Sequence, residues 1–139
     1  MRSRAVSTIL IVEDDAELRR VIGFALMDVC YQCEEAGNGE EALQALCRAT
    51  GEGWAYGAVV LDILMPGAVD GWQVLESMRA NPLWQKIPVI VLTGKATLPA
   101  EIERARQLGA QHMRKTARFV DELLDCIQAL AAPETPGSH

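Results

Sequence analysis

Nowhere in this 139-residue chain does an uninterrupted apolar run exceed a few residues; Ile9 to Val12 and Val89 to Leu92 are typical. A bilayer-spanning helix needs roughly 20. A secretory leader is not expected either, because Arg2 and Arg4 are not followed by the apolar stretch of roughly 7 to 15 residues that such a signal requires. Basic charge is also scarce: Lys and Arg number 13 against 19 Asp and Glu, for a formal net charge of −6. No cluster of Lys and Arg offers the footprint that a phosphate backbone demands. The composition therefore predicts a cytoplasmic protein that neither spans a membrane nor binds nucleic acid directly. The four cysteines include a C-x-x-C pair, Cys30 and Cys33, but the second pair of a structural zinc site is absent. Free thiols filling apolar space are the simpler expectation for an intracellular chain.

The length suits one domain, and 50% hydrophobic with 23% charged residues is an ordinary globular composition. Ser7 to Val12 is apolar and partly β-branched and stops at three acids, as a strand buried on both faces would. Leu18, Val21, Ile22, Ala25, Leu26 and Val29 then recur at helical spacing. Tyr31 to Ala36 reads as strand two. Ala42, Leu43, Leu46 and Cys47 resume helical spacing up to Thr50-Gly51. Ala58 to Asp62 is strand three, and Trp72, Val74, Leu75 and Met78 mark a helix that ends near Asn81-Pro82. Strand four spans Pro88 to Leu92, followed by a helix from about Pro99 to Leu108. A weak strand at Gln111 to Arg114 and an amphipathic helix through Val120, Leu123, Leu124, Ile127 and Leu130 complete the pattern. Residues 1–7 and 132–139 are expected to be flexible ends around a domain at 8–131. Strands alternating with helices predict an α/β fold with a parallel sheet, whose function sits at the carboxyl ends of the strands.

Glu13 and Asp14 directly follow strand one, and Asp62 closes strand three. If those strands are neighbours, the three carboxylates converge. Clustered like charges raise one another's pKa unless a cation sits among them, and an oxygen-only set suits Mg²⁺. For Glu13 and Asp14 a competing explanation is helix capping, since Asp14 with Glu17 three residues on fits a capping box. Asp62 has no such excuse, because an acid between Ala-Val-Val-Leu and Ile-Leu-Met-Pro gains nothing from apolar surroundings. Thr93 ends strand four at the same edge. Lys95 and Lys115 are the lysines near it, and either could neutralise an anion held over Asp62.

These segments resemble the receiver domains of two-component response regulators, from Thr8 to Leu130. Ile-Leu-Ile-Val-Glu13-Asp14-Asp15 is similar to that family's acidic opening, Leu-Asp62-Ile-Leu-Met-Pro66-Gly to its phosphoacceptor segment, and Pro-Val-Ile-Val-Leu-Thr93 to its switch strand. The resemblance implies a flavodoxin-like, doubly wound (βα)5 fold with a five-stranded parallel sheet. It implies that Asp62 accepts a phosphoryl group from a histidine kinase or phosphotransfer protein. Mg²⁺ would be held by Glu13, Asp14, Asp62 and the backbone carbonyl of Leu64. Thr93 would act as the switch, altering a face of helix four, strand five and helix five that docks a downstream protein or a second copy of the chain.

Two departures stand out. Met65-Pro66-Gly67-Ala68-Val69-Asp70-Gly71 is one residue longer than the family's loop. Counted without gaps, the family's lysine before proline falls on Thr116 ahead of Ala117, with Lys115 one place away, and Met113 falls where an aromatic switch residue is common. A one-residue shift reverses the face of a strand, so Lys115 substitutes only if the following loop re-aims it. The phosphoacceptor module competes with a degenerate receiver that docks without phosphorylation and with a metal-dependent hydrolase. The hydrolase is disfavoured, since a phosphatase of the aspartate-nucleophile type would carry a second acid where Leu64 stands. A non-enzymatic signalling domain is the expectation. No output domain is expected, because little chain remains after the last helix.

Overall fold

A computed structural model describes residues 8–94 and 97–132. The expected flexible ends at 1–7 and 132–139, apart from Ala132, and Lys95 lie outside the described residues. Ten elements alternate: β1 (Thr8–Val12), α1 (Ala16–Asp28), β2 (Gln32–Ala36), α2 (Gly39–Gly51), β3 (Ala58–Asp62), α3 (Gly71–Ala80), β4 (Val89–Thr93), α4 (Pro99–Gln107), β5 (Gln111–Arg114) and α5 (Phe119–Leu130). All strand pairs are parallel, in the order β2-β1-β3-β4-β5. The expected doubly wound (βα)5 architecture is the one observed.

The three central strands are buried along their whole length, which is why they read as continuous apolar runs. β2 and β5 sit at the two edges and are only half-buried, so their sequences are mixed and β5 is faint in the sequence. Alternation along each strand feeds two cores. Ile9, Ile11, Ala58, Val60, Ile90 and Leu92 pack against α1 and α5, while Leu10, Val12, Val59, Leu61, Val89 and Val91 pack against α2, α3 and α4.

The apolar stripe expected on α1 needs one correction, because Val21 is 52% exposed. Gly23 faces the sheet instead, where a Cβ would lie 3.8 Å from the Ile11 side chain. Ile22 and Leu26 are buried beside it, while Val21 and Phe24 face outward. The strand order reverses between β1 and β3, and the crevice at this switch point opens at the carboxyl ends of the strands.

Candidate acidic site at the carboxyl edge

β1 and β3 pair with Val12 beside Leu61, so Glu13 and Asp62 leave the sheet side by side. Glu13 follows Ile9 and Ile11 in alternation, and Asp62 follows Ala58 and Val60, which sends both side chains to the α1/α5 side. One ligand oxygen from each of Glu13, Asp14 and Asp62 lies within 4.8 Å of the others. Glu13 and Asp62 are buried and Asp14 is exposed.

Capping does not account for these acids. The N-cap of α1 is Asp15, whose Oδ1 accepts from the amides of Glu17 at 3.0 Å and Leu18 at 3.2 Å. A carboxylate one residue along serves the helix end, so the cap expected from Asp14 is absent. Sequence spacing missed this because the helix begins one residue later than the capping-box pattern suggested. Arg19 also escaped the sequence reading: its guanidinium donates to the Glu13 backbone carbonyl at 2.7 Å and to Glu35 at 2.8 Å, fixing the chain where it leaves β1.

Lys115 reaches the site. Its Nζ lies 3.0 Å from Asp62 Oδ2 and 2.7 Å from Glu13 Oε2. The count that put the family's lysine on Thr116 is thereby corrected. β4 and β5 pair with Leu92 beside Met113 and Thr93 beside Arg114. Met113 packs into the α1/α5 core, so Lys115, two residues on, emerges on the face that carries Glu13 and Asp62. The Lys115 amide donates to the Thr93 carbonyl at 2.9 Å and the Thr116 amide to the Arg114 carbonyl at 2.9 Å, a three-residue turn that aims the side chain over the strand ends. Facing is set by pairing register, which a residue count along one strand does not contain. Met113 is likewise not beside Thr93. His112 is, with Nε2 2.7 Å from Thr93 Oγ1, and the cue for it was its place three residues before the lysine.

The longer loop after Asp62 is absorbed without disturbing the carboxylate. Asp62 Oδ1 accepts from the Leu64 amide at 3.0 Å. Gly67 takes φ +108, a conformation that favours glycine, and Asp70 closes a capping box with Gln73 at the start of α3. Val69 folds over the start of α2, where a Cβ on Gly39 would stand 2.3 Å from the Val69 carbonyl oxygen.

Electrostatically the pocket carries more negative charge than one lysine balances. Burial, followed by the nearby Asp62 charge, pushes the Glu13 carboxyl up to about 7 despite the opposing pull of Lys115. Burial works against the Lys115 ammonium, but the two carboxylates outweigh it and raise its pKa. Glu13 Oε2 is buried, and although it stands 2.7 Å from Nζ, no donor meets it in hydrogen-bond geometry. A buried carboxylate oxygen without an aligned donor, in an oxygen-only set, fits a hard divalent cation.

Comparison with known proteins agrees with this geometry. The family model for the response regulator receiver domain matches residues 9–126. This chain belongs to the response regulator receiver domain family. It is 28% identical over 123 residues to the transcriptional regulatory protein TcrA of Mycobacterium tuberculosis, covering 88% of this chain and 45% of TcrA. It is 30% identical over 131 residues to the response regulator protein FleR of Pseudomonas aeruginosa, covering 94% of this chain and 26% of FleR. The chain thus spans less than half the length of these curated relatives. Among solved structures, the N-terminal domain of a response regulator receiver protein from Methanoculleus marisnigri superposes with a TM-score of 0.69 at 30% identity, covering 91% of this chain and 98% of that one. As a receiver domain the chain is a signalling module, and its acidic pocket fits a phosphoacceptor role. Among the described residues no helix is long and apolar enough to cross a membrane.

Proposed function

We propose that Asp62 is the phosphoacceptor of this receiver domain and that its donor is a histidine kinase or a histidine phosphotransfer protein. The observation that carries the reading is the convergence of Glu13, Asp14 and Asp62 with Lys115 at the switch point of the sheet. An Asp62 carboxylate oxygen forms a bond to phosphorus while the P–N bond of the donor phosphohistidine breaks, its electron pair returning to the imidazole. Glu13, Asp14, Asp62 and the Leu64 carbonyl would hold Mg²⁺, which when bound offsets charge on the transferring oxygens. Lys115, already 3.0 Å from Asp62, pairs with the anion. Thr93, buried at the same edge, supplies a hydroxyl to it and links the site to α4, β5 and α5, the face that docks a downstream protein. The Leu64 side chain is apolar and 69% exposed, which offers no second acid for a phosphatase and supports an acceptor over a hydrolase. Free thiols, with Cys30 and Cys47 exposed, support a reducing, cytoplasmic setting. The intact acid set together with Lys115 supports this reading over docking without phosphorylation.

The test is intact-mass analysis after incubation with Mg²⁺ and acetyl phosphate. Wild type gains one phosphoryl group, Asp62→Asn gains none, and excess chelator abolishes the gain. Labelling of Asp62→Asn, or undiminished labelling in chelator, overturns the assignment.

A further inference from the structure

Thr93 Oγ1 lies 2.7 Å from His112 Nε2 and 2.7 Å from Thr97 Oγ1, and Thr97 Oγ1 is also 2.7 Å from the Gly94 carbonyl oxygen. Each threonine hydroxyl has a single proton to donate, so this row runs in one of two directions. With Nε2 bare, Thr97 donates to Thr93 and Thr93 donates to the imidazole. With Nε2 protonated, His112 donates to Thr93, Thr97 donates to Gly94, and the Thr93 proton is no longer committed to the ring. The protonation of one nitrogen therefore sets where a buried hydroxyl at the edge of the acidic site can point.

We propose that His112 is a positioning residue that acts through Thr93: the neutral ring holds the Thr93 hydroxyl, and the protonated ring releases it toward a phosphoryl group on Asp62. This rests on the reading of Asp62 as phosphoacceptor. His112 lies beside Val91 of β4, on the side of the sheet covered by α4. The charges that face it are Arg114 on its own strand, which opposes a second positive charge, and Glu101 on α4, which favours one; β4 carries no charged side chain from Val89 to Thr93. Burial is the largest influence and, with Arg114, holds the ring below the ordinary histidine value. The neutral ring thus goes with the packed, Thr93-bound arrangement. A rearrangement that withdraws Thr93 and admits water lets the pKa rise again, so falling pH favours the rearranged state.

His112 and His139 are the two histidines of the chain, so His139→Gln leaves one ring to observe. In that background, ring nitrogen shifts are followed by NMR between about pH 5 and 8 with and without Mg²⁺ and beryllofluoride, the phosphoryl probe. The free protein is expected to show a neutral ring with Nε2 bare, a higher His112 pKa once beryllofluoride binds, and a raised pKa in free Thr93→Val. Beryllofluoride affinity should increase roughly threefold or more from high to low pH relative to His112→Gln, which cannot titrate. The proposal is overturned if the neutral ring carries its proton on Nε2, if the pKa is the same in both states, or if His112→Gln keeps the wild-type pH slope. Should beryllofluoride not bind and acetyl phosphate not label Asp62, the phosphoacceptor reading fails instead. The nitrogen shifts of the free protein then still decide the direction of the row.

Discussion

Replacing Lys115 with methionine keeps most of the apolar stem and removes the ammonium that stands 2.7 Å from Glu13 and 3.0 Å from Asp62. The Glu13 and Asp62 side chains are 2% and 6% exposed, so little water can take its place. Removing one member of a fully buried ion pair costs about 3 to 5 kcal/mol. Lys115 is 24% exposed, and Glu13 can escape the penalty by binding a proton, so about 1 to 3 kcal/mol is the expected loss in metal-free protein at about pH 8. For a domain of this size that is a fall of roughly 3 to 12 °C in Tm. The pH dependence has a definite sign. The folded-state pKa of Glu13 is raised from 4.5 to about 7, so its contribution to stability is full below 4.5 and is lost as pH rises through 7. Lys115 opposes that rise, so its removal hurts more above neutrality than in mild acid. Millimolar Mg²⁺ should narrow the gap, because a divalent ion restores the missing positive charge. Thermal melts of wild type and Lys115→Met in chelator and in Mg²⁺, in mild acid and above neutrality, test all three points. If the variant melts with wild type in chelator above neutrality, or loses the same amount at both pH values, Lys115 does not neutralise this pocket.

Asp15→Ala should cost about 0.5 to 2 kcal/mol by removing the α1 cap while leaving Mg²⁺ affinity intact. Asp14→Ala should do the reverse, weakening Mg²⁺ binding without destabilising the metal-free fold; melts with a Mg²⁺ titration separate the two. Gly71→Ala would set a Cβ 2.4 Å from the Asp62 carbonyl oxygen and should destabilise by about 1 to 3 kcal/mol or more, whereas Gly51→Ala, with open space around it, should not, as urea titration would show. Iodoacetamide should modify exposed Cys30 and Cys47 first. Cys33, whose thiol is pushed up to about 12 by burial and then by Glu35, should resist until the protein unfolds, as peptide mass mapping would show.

Much of this domain was legible in one dimension because buried parallel strands announce themselves. Ile9 to Val12, Ala58 to Leu61 and Val89 to Leu92 must be apolar on both faces, so an acid at either of the first two ends is conspicuous, and Glu13, Asp14 and Asp62 could be singled out before any geometry was known. The alternation with helices determined the parallel sheet and therefore the edge at which those acids meet. What depended on the third dimension was every relation set by register or by close packing. Whether Lys115 or Thr116 faces Asp62 is decided by hydrogen-bond pairing between β4 and β5, two strands separated by a helix whose connections no residue count measures. The same pairing puts His112 rather than Met113 against Thr93. Which of three consecutive acids caps α1, and whether Val21 points inward, depend on a fraction of a helical turn, decided only when the helix packs on the sheet with Gly23, Ile22 and Leu26 inward. Burial is written into residue type, but the facing of neighbours is written into contacts between segments far apart in the chain.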